Sequence, residues 1–144
     1  MNEQANFLER FKGSFYGVLK WDQLDTLWNA VRQQKNQPWF VYQVGEQPPE
    51  NPATQQALDN FLTHIDHLLR SEHKEDYCGI VYADNLQEPT YIKIFDPNNL
   101  GVSCGFSERP PLPGWVLSHI QPMDLPHAFP PPQNRRRWWQ RLFT

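Results

Sequence analysis

Long apolar runs are missing from this sequence. No stretch approaches the roughly 18 consecutive apolar residues that a membrane-spanning helix needs, which excludes a transmembrane reading. The opening residues MNEQANFLERFKGS lack a basic segment followed by an apolar run, so no secretory leader is read there and a cytoplasmic location is expected. Cysteine is scarce: Cys78 and Cys104 are too few for a disulfide scaffold. The two fall in neighbouring predicted strands, where a disulfide is geometrically conceivable, but free cysteine behaves as a small hydrophobe and buried thiols are the simpler reading. Catalytic signatures are missing too. There is no nucleophile elbow, and the small-residue stretch Gly101 to Gly105 leads into proline-rich sequence rather than into the helix that a phosphate cradle requires.

What is present describes an ordinary folded domain. At 144 residues the chain can bury a core without disulfides or metal, and an aromatic content of 14% argues against disorder despite 14 prolines. Residues Tyr77 to Tyr82 are rich in aromatic and β-branched side chains and read as a strand. After a polar break, Thr90 to Phe95 alternates, with Tyr91 and Lys93 on one face and Ile92 and Ile94 on the other, so one face is core and the other meets water or a partner. A break this short favours an antiparallel hairpin over a parallel crossover. Further strands are predicted at Trp39 to Val44, Val102 to Phe106 and Trp115 to Ile120, with a brief extended stretch at Phe15 to Leu19.

Helical spacing occurs three times before the tail. Phe7, Leu8 and Phe11 mark a short helix over Asn2 to Lys12. Leu24, Leu27, Trp28 and Val31 mark a second over Gln23 to Gln34, with Asp22 as its cap. Leu58, Phe61, Leu62, Ile65, Leu68 and Leu69 mark a third, predicted to start at Asn51-Pro52 and to run to Arg70. The pattern predicts an α+β domain over residues 1–121, a mainly antiparallel sheet of about four to five strands with two or three helices packed on one side.

Beyond it, Pro122 to Asn134 holds five prolines in thirteen residues and reads as a stiff spacer, leaving 135–144 as a basic-aromatic tail. From Leu125 onward there is no acidic residue. Setting aside Arg135, Arg136, Arg137 and Arg141 from the 13 basic residues leaves nine against 16 acidic ones, a balance of -7 for the remainder. Wound as a helix, Trp138, Trp139, Leu142 and Phe143 span about 140° of arc, with Arg137 and Arg141 on the other side. Such a tail can dock a protein partner, mediate self-association, touch an anionic membrane surface, or fold back onto its own acidic body. Nucleic acid is disfavoured by the charge of the remainder.

The candidate partner-binding residues are therefore Arg135, Arg136, Arg137, Trp138, Trp139, Arg141, Leu142 and Phe143, with Trp39, Tyr77 and Tyr91 as aromatic residues to place. Chemistry-bearing residues are weighed beside them. His64, His67, His73, Asp76 and Cys78 fall within fifteen residues but at spacings better explained by a solvated helix face than by a metal site. Ser118 and His119 are sequential on a predicted strand and point apart, while Asp84, Glu88, Asp96 and Asp124 sit where turn chemistry explains them. The expected function is a non-enzymatic interaction or accessory module, without cofactor, binding a protein partner through its sheet surface and its tail. The rival is a small metal- or thiol-dependent enzyme using Cys78 or Cys104 with histidines such as His119 or His127.

Overall fold

The computed structural model describes residues 3–98, 112–125 and 131–143. The predicted strand at Val102 to Phe106, together with Cys104 and His127, lies outside them. The predicted hairpin forms from β3 (Val81–Ala83) and β4 (Tyr91–Ile94), which pair antiparallel with Tyr82 opposite Lys93. The side chains of the polar break organise the loop. Asp84 Oδ1 accepts the backbone N–H groups of Thr90 at 2.9 Å and Tyr91 at 3.0 Å, and Asn85 Oδ1 accepts those of Gln87 and Glu88. The strand predicted from Tyr77 starts only at Val81, because Gly79 turns the chain at a φ of 68°. Before that turn the backbone N–H groups of Cys78 and Gly79 donate to Leu19 and Val18.

Three more strands complete one sheet: β1 (Tyr16–Gly17), β2 (Phe40–Gln43) and β5 (Trp115–Ser118), in the order β1-β3-β4-β5-β2 with every pairing antiparallel. β4 is thus central and β2 an edge.

The helices α1 (Glu3–Phe11), α2 (Trp21–Gln33), α3 (Gln55–Glu72) and α4 (Gln133–Phe143) complete the α+β fold. α2 and α3 bury the stripes read from the sequence, and Ile92 and Ile94 join them in one large core. Each fully buried aliphatic or aromatic side chain there contributes about 1.5–3 kcal/mol. Both helix starts differ from expectation. α2 begins before Asp22, with Gln23 Oε1 accepting the backbone N–H groups of Leu19 and Lys20. α3 begins after Pro52, because Ala53 N–H donates to the Trp39 carbonyl at 2.8 Å and holds that segment extended; the Thr54 hydroxyl then caps the helix by accepting Ala57 N–H.

The opposite face of the sheet is partly covered. α1 lies on it, placing Phe7 against Tyr42 and Tyr91 in a second, smaller core with Val44, Val116 and Leu125. The expectation that the Tyr91 and Lys93 face meets water or a partner is corrected at Tyr91, which Phe7 and Phe15 bury, whereas Lys93 on the same face stays partly exposed. α4 joins the larger core on the α2 and α3 side, so three helices lie on one face and one on the other.

Candidate functional site

α4 carries the candidate residues, and its two faces differ in kind. Residues 135, 138, 139 and 142 recur at three and four, so they share the inward face. Trp138 meets Phe61 and Trp115 edge-on at centroid distances of 6.2 and 5.5 Å, Trp139 meets Phe61 at 6.2 Å, and Leu142 packs against the same core. Phe143 stacks on Trp139 at 4.4 Å and is partly exposed.

Arg135 fixes this helix to the body. Its side chain is 6% exposed and forms two forked pairs: Nε and Nη2 donate to Asp96 at 2.8 and 3.0 Å, and Nη1 and Nη2 donate to Glu72 at 3.1 and 2.7 Å. Burial alone would lower the guanidinium pKa, but hydrogen bonds and charge from Asp96 and Glu72 more than reverse this and raise it. Asp96 is placed for the task by its own turn, accepting Asn98 N–H at 2.9 Å, and Gly114 lets the chain pass so close that an added Cβ would lie 3.2 Å from the Asp96 Cβ. Arg136, more exposed, donates to Glu46 at 3.0 Å.

Arg137 and Arg141 remain on the outer face, one turn apart and exposed. Neither pairs with a carboxylate among the described residues. The structure therefore divides the eight candidates: Arg135, Trp138, Trp139 and Leu142 face inward, while Arg136, Arg137, Arg141 and Phe143 are exposed. The inward direction of Arg135 was readable from the sequence, since it falls at helical spacing within the same aromatic arc.

The other candidates scatter. Of the three aromatic residues, Tyr77 is 56% exposed, whereas Trp39 and Tyr91 are buried. Tyr16 and Leu19 are likewise exposed, and the residue after Tyr77, Cys78, donates its backbone N–H to the Leu19 carbonyl. His64 and His67 face solvent on α3. Among the described residues no group of three or more histidine, cysteine or acidic side chains is placed to hold a metal. Burial pushes the Cys78 thiol pKa up, opposite to what an activated thiolate needs. Burial likewise lowers the His119 pKa, and its ring lies edge-on to Trp39 at 4.2 Å. Ser118 Oγ donates to the Ile120 carbonyl at 2.6 Å, so it has no part in a pair with His119.

The fold and this surface define an α+β domain whose C-terminal helix is bound to its own core. No protein-family model, curated protein or solved structure matches the chain.

Proposed function

We propose that this protein is a small non-enzymatic interaction module that docks an acidic protein segment on the outer ridge of α4. The observation that carries the reading is the pair Arg137 and Arg141. Like charges one helical turn apart repel by a few tenths of a kcal/mol, and no described carboxylate of the chain offsets this. A third cation, Arg136, and the partly exposed Phe143 flank the pair on a helix held in place by Arg135. A rigid ridge of guanidinium groups beside an aromatic ring suits carboxylates recognised through paired hydrogen bonds. Helices pack on both sheet faces, so the α4 ridge, rather than a bare sheet face, carries this reading.

The test is fluorescence anisotropy of a labelled acidic peptide, with a neutral peptide of the same length and a single-stranded oligonucleotide as controls. Arg137→Glu/Arg141→Glu should weaken acidic-peptide binding at least ten-fold with circular dichroism unchanged, and the affinity should fall with salt. Equal affinity in the double variant, or preference for the oligonucleotide, would reject the reading. A dimer in sedimentation that the same substitutions dissociate would assign the ridge to a second copy of the chain instead.

A further inference from the structure

On the other face of the sheet, a cavity of about 580 Å³ opens between β3, β4 and the segment after α1, a volume within the range of small-molecule sites. Phe15, Tyr82 and Phe95 give it aromatic walls, and the exposed Tyr77 also lines it. The walls are fixed: Tyr82 and Phe95 meet edge-on at 5.7 Å, and Tyr82 OH donates to the Gly79 carbonyl at 3.2 Å.

One cation projects into this apolar setting. Lys93 sits on the central strand opposite Tyr82, and its Nζ lies 4.0 Å from the ring centroids of both Phe11 and Phe15. Ring faces hold an ammonium in place without neutralising it. Among the described residues no carboxylate pairs with Lys93. Burial alone lowers its pKa, with no neighbouring acid acting on it. The contrast with Arg135 is direct, because there the same protein supplies two carboxylates to one buried cation.

We propose that this cavity binds a small organic carboxylate, its aromatic or acyl body lying on Phe15, Tyr82 and Phe95 and its carboxylate on the Lys93 ammonium. The chemistry is complementary on both counts. The walls gain by excluding water from an apolar body, and the half-buried cation gains a counter-charge that none of the described residues provides. This site is independent of the α4 ridge and goes beyond the reading given to it.

The experiment is calorimetric titration of the full chain with 1-naphthaleneacetate and with its neutral isostere 1-naphthaleneacetamide, on wild type and on Lys93→Met. Wild type should bind the acetate one-to-one and at least ten-fold more tightly than the amide. That preference should vanish in Lys93→Met, with the amide affinity unchanged. No binding of either compound at millimolar concentration overturns the proposal, as does a charge preference that persists without the lysine. Should Lys93→Met not fold, the NMR signals of the Lys93 side chain in wild type decide. They must shift on saturation with the acetate and not with the amide, and any other result overturns the site.

Discussion

The two faces of the sheet solve burial differently. On the face under α2, α3 and α4, the helix stripes interlock in a large core, and the buried cation Arg135 is matched by Asp96 and Glu72. On the face under α1, a short helix covers a smaller core whose larger side chains carry polar ends: Tyr42 donates to Asp124 at 3.4 Å and Tyr91 to the Phe7 carbonyl at 3.3 Å. There the Lys93 ammonium lies over the rings of Phe11 and Phe15 with no carboxylate paired to it among the described residues, and a cavity remains beside it. Internal pairing on the first face closes the fold. Incomplete pairing on the second leaves binding capacity for something from outside.

The sharpest way to break this comparison is to remove the pairing that closes the first face. Arg135→Ala leaves the nearly buried Asp96 carboxylate without its partner, so unfolding free energy should drop by about 3–5 kcal/mol. Arg136→Ala, which loses only a solvent-screened pair with Glu46, should cost under about 1 kcal/mol. Urea denaturation of both variants measures the difference. Comparable losses would mean that α4 is held by its tryptophans alone and that the buried fork adds nothing.

An intermediate effect is expected on the second face at alkaline pH. Burial, aided by the charge of Asp124, pushes the Tyr42 pKa up to about 12 from an ordinary value of 10.0. The unfolded chain therefore loses this proton first, so the stability contributed by Tyr42 is complete below about pH 10 and disappears as pH rises towards about 12. Two units correspond to roughly 3 kcal/mol. Tyr91, raised in the same direction by burial, extends the loss to higher pH. Denaturation at pH 9 and pH 11.5 should show Tyr42→Phe losing less stability between the two than wild type does. Parallel losses would clear Tyr42 of responsibility.

Much of this architecture is legible in the sequence because one periodicity fixes each element: the α2 and α3 stripes, the alternation through β4, and the turn formers between β3 and β4. What escaped depends on contacts between distant segments. The start of α3 is displaced by a hydrogen bond from Ala53 to Trp39, and no local preference around Asn51-Pro52 encodes that bond. Phe7, Phe11 and Phe15 were recognisable as apolar, but nothing local says that they close the face carrying Tyr91 and Lys93. The alternation did place Lys93 on that face. That no described carboxylate pairs with it, whereas Arg135 holds two, became visible only once residues 72, 96 and 135 were brought together in space.

The smallest effect tests the second face most directly. At neutral pH the ammonium of Lys93 is partly desolvated, and its lowered pKa means that the folded chain gives up this proton more readily than the unfolded chain. The charged form thus penalises the fold below the folded-state pKa, and stability recovers as pH rises through that value towards the ordinary 10.5. Lys93→Met removes the penalty while keeping an unbranched stem and a sulfur that packs favourably against the rings of Phe11 and Phe15. The variant should match wild type or exceed it by up to about 1 kcal/mol at pH 7, since lifting a desolvation cost offsets two cation–π contacts. A loss beyond about 2 kcal/mol would show that the rings already satisfy the ammonium. The two faces would then be equally closed, and the cavity would lose the charge that distinguishes it as a binding site.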